Sequence, residues 1–188
     1  MLSSGKSLLA VQYNPFHITL SNNFCDRIIK ENESLDIIDG TVESKDKEKR
    51  SSKISWVPKD KFPNELHQCI DSANKLYNFS LHEFESLQYS RYEKNDHYNW
   101  HVDNHSKPYN NGMIRKLSFT VCLNDEFDGG NFDICRPSPL TDKTIVQTFK
   151  LKKGEMIIFP SHTWHRVNKV TKGIRKSLVG WVVGKQWQ

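Results

Sequence analysis

Lys116-Leu-Ser-Phe-Thr-Val-Cys-Leu123 lies between two turn signals, Asn110-Asn-Gly112 and Asp128-Gly-Gly130. Polar and apolar residues alternate along it on a period of two, so Lys116, Ser118, Thr120 and Cys122 share one face and Leu117, Phe119, Val121 and Leu123 the other. That is the pattern of a strand. Similar short runs surround it: Phe84 to Tyr92, Tyr98 to Val102, Asn131 to Ile134, Thr144 to Leu151, Glu155 to Pro160, His165 to Val170 and Arg175 to Val183, with Lys152-Lys-Gly154 as a further turn. Seven or eight short strands at this spacing predict a double-sheet jelly roll.

Upstream the periodicity changes. A first strand is expected within Leu9 to Ile18, followed by a helix from Ser21 to Lys30 whose apolar positions are Phe24, Ile28 and Ile29. Residues Asp39 to Lys53 are charged and poor in apolar side chains, which predicts a loop or frayed hairpin before a short strand at Ile54-Ser-Trp-Val57. Leu66, Ile70, Ala73, Leu76 and Tyr77 then recur at helical spacing. The expected architecture is α+β and mainly β: a double-stranded β-helix with N-terminal helices packed on one sheet. One domain is expected over 1–188, with a helical part to about residue 83 and a jelly-roll core over about 84–183.

Composition narrows the class of protein. The 188 residues are 36% hydrophobic and 26% charged, yet include 10 Phe, 6 Tyr, 5 Trp and 8 His, an aromatic content that argues against a disordered chain. No apolar run approaches the roughly 20 residues of a membrane span, and Met1 to Tyr13 lacks the basic start and long apolar stretch of a secretory signal, so a cytoplasmic protein without membrane partners is expected. Cys25, Cys69, Cys122 and Cys135 are far apart with no CxxC pair, so they read as reduced thiols. The net charge of +5 suits nucleic acid, but basic and acidic residues are interleaved, as from Glu43 to Arg50. A solvated surface explains that run better, and nucleic-acid binding stays the minority reading.

Tyr98-Asn-Trp-His-Val-Asp-Asn104 carries the chemistry. In a strand His101 and Asp103 point to one side, and His165, 64 residues on, can supply a third ligand. Two histidines and a carboxylate form the facial triad of non-haem Fe(II) oxygenases. An HxD tripeptide alone is commonplace on protein surfaces; its weight comes from a downstream arginine. Ten residues after His165, Arg175 opens an apolar strand in which Arg175, Ser177, Val179 and Trp181 share a face. An arginine turned into a barrel is costly unless a carboxylate meets it.

His101-x-Asp103, His165 and Arg175, in this order, resemble the 2-oxoglutarate and Fe(II)-dependent dioxygenases, in particular the prolyl 4-hydroxylase-like branch with its phage and bacterial members. The resemblance extends through Arg91-Tyr-Glu-Lys-Asn-Asp-His-Tyr-Asn-Trp-His-Val-Asp103, Arg115-Lys-Leu-Ser118, Phe127-Asp-Gly-Gly130, Gly154-Glu-Met-Ile-Ile-Phe-Pro-Ser161 and Thr171-Lys-Gly-Ile-Arg-Lys-Ser-Leu-Val-Gly-Trp181. It implies Fe(II) held by His101, Asp103 and His165, with 2-oxoglutarate chelating the metal and pairing with Arg175. Tyr92, Ser177 and Thr120 are implied as further co-substrate contacts, and Tyr98, Trp181 and Arg115 as residues on the substrate side. Cys122 stands where several relatives place a tyrosine that donates to the co-substrate's distal carboxylate, which leaves Thr120 or a water for that task. Asn95 stands where many relatives have glycine, and asparagine also tolerates the left-handed conformation.

The implied reaction uses O2 and 2-oxoglutarate to hydroxylate an unactivated C–H bond, giving succinate and CO2, with ascorbate as an accessory reductant. Asp103 favours hydroxylation over halogenation, since halogenating relatives carry a small residue there. A peptidyl or protein substrate, with proline favoured, is the first expectation, and a free amino acid or other small metabolite the second. A nucleic-acid demethylase would carry a second arginine where this chain has Trp181, and a jelly-roll module without catalysis is the remaining alternative. The segment 39–53 is a candidate substrate lid, with Asn104 to Met113 and Arg136 to Thr144 as further substrate-contact loops. Substrate identity and oligomeric state stay open.

Overall fold

The computed structural model describes residues 14–33, 38–40, 48–57, 62–104, 107–138 and 143–186. In chain order the elements are β1 (Phe16–Thr19), α1 (Asn22–Asn32), β2 (Ile38–Asp39), β3 (Arg50–Ser51), β4 (Lys53–Val57), α2 (Asn64–Tyr77), β5 (Glu83–Phe84), β6 (Leu87–Tyr92) and β7 (His97–His101). They continue with β8 (Met113–Cys122), β9 (Phe127–Gly129), β10 (Phe132–Pro137), β11 (Thr144–Phe149), β12 (Glu155–Pro160), β13 (Trp164–Val167), β14 (Val170–Gly173) and β15 (Arg175–Lys185). The larger sheet runs β1-β12-β8-β15-β6-β4-β2, with β5 added beside β15, and the smaller runs β11-β10-β13-β7-β3. All their pairings are antiparallel. The mainly-β jelly roll with helices on one sheet is therefore observed.

The two helices form for local reasons. The Ser21 side chain accepts from the Phe24 N–H and caps α1, while α2 ends at Asn78, which takes a left-handed φ of 54°. Asn74 closes that end further: its side chain bonds both the N–H and the C=O of Phe79, each at 2.9 Å. Phe24 and Ile28 of α1 and Leu66, Ile70 and Ala73 of α2 bury against Leu117, Phe119 and Val121 of β8 and Leu178 and Val182 of β15. The opposite face of the larger sheet meets the smaller one, where Ile157 and Phe159 of β12 pack with Phe132, Ile134 and Val167. Thus β12 is apolar on both faces, and β8 and β15 alternate between helix-facing apolar groups and polar groups turned inward.

Several boundaries differ from the expected ones. The run from Phe84 to Tyr92 is split into β5 and β6, and the run from His165 to Val170 into β13 and β14, with β14 pairing β9 as a small separate ribbon. Short strands such as β9 escape sequence reading because three residues establish no periodicity. The charged segment before β4 carries β2 and β3, each two residues long, which pair with β4 and β7 respectively. Residues 41–47 of the suggested lid, the stretch 9–13 of the first strand, and 105–106 and 139–142 of the two suggested contact loops lie outside the described residues. All four cysteines are free thiols, as expected. Asn95 adopts a φ of 74°, and its N–H bonds the Val170 carbonyl at 2.8 Å, so asparagine does make the turn. No helix among the described residues is long and apolar enough to cross a membrane.

Gly180 faces Phe119 across the β8–β15 register, and a Cβ there would come within 2.4 Å of the Phe119 ring and 2.6 Å of Leu87. Gly180→Ala is expected to cost about 1–3 kcal/mol through overpacking. Urea unfolding checks this: the midpoint should fall at unchanged m-value.

Candidate metal centre and cavity

Backbone pairing brings the two histidines together. His165 on β13 is the direct cross-strand partner of His101 at the end of β7, and the ring centroids are 4.1 Å apart. Each ring is oriented by its Nδ1: that of His101 meets the Asn99 carbonyl at 2.8 Å and that of His165 the Thr163 carbonyl at 2.9 Å. A carbonyl only accepts, so both Nδ1 atoms carry the proton and both Nε2 lone pairs are left for a ligand.

Those two Nε2 atoms face Asp103. The carboxylate lies 3.7 Å from Nε2 of His101 and 3.5 Å from that of His165, and the three ligand atoms all fall within 4.8 Å of one another. Strand alternation predicted that His101 and Asp103 share a side. They do, but β7 ends at His101, and Asp103 sits in the bend just beyond it. There the N–H groups of Asp103 and Asn104 both donate to the Ser161 carbonyl, at 2.9 and 3.1 Å, which ties the bend to the end of β12.

Electrostatics leave this cluster ready to bind a cation. Burial, and then the neighbouring His165, push the His101 imidazole down to about 3, against the opposing pull of Asp103. Burial by itself would raise the Asp103 carboxyl, but His165, His101 and Arg115 outweigh it and hold the group below the usual carboxylate range. A neutral imidazole and an ionised carboxylate are the forms in which these groups bind metal.

The triad opens into a cavity of about 510 Å³. All ten residues singled out in the sequence line it: His101, Asp103, His165, Arg175, Tyr92, Ser177, Thr120, Tyr98, Trp181 and Arg115. Arg175 is 1% exposed; its Nη1 donates to Ser177 Oγ at 3.0 Å, and its Nη2 is buried with no partner among the described residues. Gly130, at a φ of +59°, lets this arginine lie flat, since a Cβ there would approach Arg175 Cδ to 2.9 Å. Tyr92 is the cross-strand partner of Arg175 and its ring lies 5.6 Å from the guanidinium carbon. Thr120 lines the same cavity. Cys122, opposite Ser177 on the neighbouring strand, donates its thiol to the Asn124 carbonyl at 3.3 Å within the field of Arg175.

On the other side Tyr98 stacks on His101, with centroids 3.5 Å apart and planes 13° from parallel, and burial raises its phenol to about 12. Arg115 lies 4.0 Å above the Trp181 ring and is gripped as a fork by Glu85, at 3.0 and 2.6 Å. Its Nη1 reaches the Asp103 carbonyl at 3.5 Å. Tyr109 donates to the same Glu85 at 2.8 Å. Glu85 carried no sequence signal, because nothing but the fold brings it opposite Arg115. Trp56, 48% exposed, and Ile38 line the cavity beside the exposed Asp39 and Lys49, and the buried Arg50 lines it from β3. The last escaped notice because a lone arginine in a charged run reads as surface.

A jelly roll with two histidines and a carboxylate converging on one point, and a buried arginine at the far end of the same cavity, defines a class of metal-dependent oxygenases. The chain belongs to the 2OG-Fe(II) oxygenase superfamily, whose family model matches residues 87–183. It is similar to PKHD-type hydroxylases: 35% identical over 95 residues to one from Idiomarina loihiensis, covering 50% of this chain and 39% of that one. A second, from Synechococcus sp. strain CC9605, is 37% identical over 124 residues, covering 62% and 52%. The chain thus spans about half or less of the length of these curated relatives. Among solved structures it resembles a Pseudomonas putida prolyl-4-hydroxylase, with a TM-score of 0.70 and 17% identity over 100% of both chains. It also resembles a viral collagen prolyl hydroxylase from Paramecium Bursaria Chlorella virus-1 in its 2OG complex, with a TM-score of 0.64, 19% identity and coverage of 90% and 96%.

The residues fit the groups that this family's name implies. Two imidazole nitrogens and one carboxylate make a donor set for Fe(II), and the unpartnered Nη2 of Arg175 in the space kept by Gly130 suits the distal carboxylate of 2-oxoglutarate. Gly130→Ala is therefore expected to lower affinity for 2-oxoglutarate by about tenfold or more, because the new Cβ displaces Arg175 at a backbone conformation that alanine resists. Calorimetric titration of Mn(II)-loaded protein with 2-oxoglutarate reads the effect.

Proposed function

We propose that this protein is an Fe(II)- and 2-oxoglutarate-dependent dioxygenase that hydroxylates an unactivated C–H bond, with a peptidyl, prolyl-containing substrate as the first candidate. The observation that carries this reading is the convergence of the His101, Asp103 and His165 ligand atoms within 4.8 Å in a cavity that also holds the buried, half-partnered Arg175. Bound Fe(II) would activate O2, which takes two electrons from 2-oxoglutarate as it is decarboxylated to succinate and CO2 and two from the C–H bond that is hydroxylated.

The chain's own residues do four things. His101, Asp103 and His165 hold the metal on one face, their ring orientation fixed by the Asn99 and Thr163 carbonyls. Arg175, assisted by Ser177, neutralises the far carboxylate of 2-oxoglutarate with a planar fork that needs no reorganisation. Tyr92 and Thr120 narrow the co-substrate end, and Tyr98, Trp181 and the Glu85-bound Arg115 shape the substrate side. Apolar walls such as Phe132 and Phe159 restrict water around the reacting groups.

The peptidyl reading is supported by the similarity to PKHD-type hydroxylases and by the fold shared with prolyl hydroxylases, one of them from Trichoplax adhaerens in complex with a peptide fragment. A free amino acid or small metabolite is the alternative. Turnover of 2-oxoglutarate with Fe(II), followed as succinate release in the presence of peptide and metabolite panels, tests the proposal. Wild type should release succinate in step with substrate oxidation; His165→Ala should lower the rate by at least about 10³-fold through loss of the metal, and Arg175→Gln should raise the KM for 2-oxoglutarate by about tenfold or more. Undiminished succinate release by His165→Ala would refute the assignment.

A further inference from the structure

Arg50 comes from the most charged part of the chain, yet it is only 7% exposed. Its position is fixed from three sides. Nε donates to Ser52 Oγ at 2.9 Å, and the guanidinium carbon lies 4.6 Å from the ring of Tyr98, the same ring that stacks on His101. The third side is a missing side chain: a Cβ on Gly40 would come within 3.0 Å of Arg50 Nε and 2.3 Å of Ser52 Oγ. The Gly40 N–H meanwhile bonds the Ser52 carbonyl at 2.7 Å, which holds that backbone in place.

What this built setting lacks is an acceptor. Nη2 of Arg50 is buried with no hydrogen-bond partner among the described residues, and no carboxylate there pairs with it. Leaving a buried cation unpaired is costly, more so than leaving a neutral group. The other cations deep in the cavity have counter-charges: Arg115 has Glu85, and Arg175 is matched to the co-substrate. Fe(II) with Asp103, doubly negative 2-oxoglutarate and Arg175 sum to neutrality, and the exposed Asp39 and Lys49 that also line the cavity offset each other, so among the described residues the loaded site keeps one unbalanced positive charge, with Arg50 its buried, unpaired cation. A second donor in the same cavity, Nε1 of Trp181, is also buried and unpartnered. Among the described residues nothing meets these donors, and an occupant bringing acceptors and one negative charge would.

We propose that Arg50 is a specificity-determining residue that receives a carboxylate of the substrate. The inference rests on the dioxygenase reading above and adds the substrate class to it. The carboxylate has two sources with the same chemistry: the α-carboxylate of a free amino acid, or an acidic side chain beside the target residue in a peptide.

Matched pairs separate these sources. Binding to Mn(II)- and 2-oxoglutarate-loaded protein is measured by calorimetry for the free L-amino acids against their amides. The same is done for blocked proline-centred tripeptides carrying aspartate against those carrying asparagine. At least one carboxylate member should bind wild type about tenfold or more tighter than its amide partner, as a charge-assisted forked contact allows. The preference should vanish in Arg50→Gln and be partly kept in Arg50→Lys, which retains charge without the fork. A response confined to the amino-acid pairs assigns a free metabolite, and one confined to the tripeptides an acidic peptide. Equal affinity within every pair in wild type, or an undiminished preference in Arg50→Gln, overturns the proposal. Affinity for 2-oxoglutarate is read in the same titrations: its absence in wild type defeats the dioxygenase reading, whereas its presence without a carboxylate preference defeats only the role of Arg50.

Discussion

The structure turns on one carboxylate placed between two imidazoles. Asp103 has a side chain only 9% exposed and lies within 3.7 Å of both ring Nε2 atoms, in a setting where burial works against its charge. Such a group is stable as an anion only if positive charge surrounds it or arrives with a ligand. Both remedies are built in: Arg115 contributes through its field, and the two histidines, each with Nδ1 tied to a carbonyl, aim their Nε2 atoms at a shared point. The β7–β13 pairing and the Ser161 carbonyl at the end of β12 fix this point, and Arg115 and Ser118 of β8 reach Asp103 from the larger sheet. The larger sheet supplies Arg175 and the floor of the cavity, and the helices cover its other face.

Much of this could be read from the chain because alternation in a strand assigns faces without knowledge of the partner. Arg175, Ser177, Val179 and Trp181 line the cavity together, and Leu117, Phe119 and Val121 pack against the helices, as a period of two requires. Asp103 kept its expected side for a different reason, since hydrogen bonds to Ser161 rather than strand geometry hold it. The contacts that escaped are those made across long sequence separations by ordinary residues. Glu85 grips Arg115 from 30 positions away, and Arg50 enters the cavity only because β3 pairs with the start of β7.

Charge gives the cavity its polarity. Arg175 offers an unpartnered donor beside Ser177, and Arg50 offers another beside Tyr98. The metal ligands line the same cavity, as do the exposed Trp56, Ile38, Asp39 and Lys49. A molecule in this cavity meets fixed donors on its walls. At Cys122 the thiol donates to the Asn124 carbonyl within the field of Arg175, and Thr120 of the same strand lines the cavity.

The central claim is that His101, Asp103 and His165 form one metal site whose occupant also engages 2-oxoglutarate. Anaerobic titration of the protein with Fe(II) in the presence of 2-oxoglutarate, followed by the visible metal-to-ligand absorption, measures both at once. One Fe(II) per chain, with a band that requires 2-oxoglutarate and disappears in Asp103→Ala, is the predicted result. A band of the same intensity in Asp103→Ala, or Fe(II) binding with no band in wild type, would contradict the account.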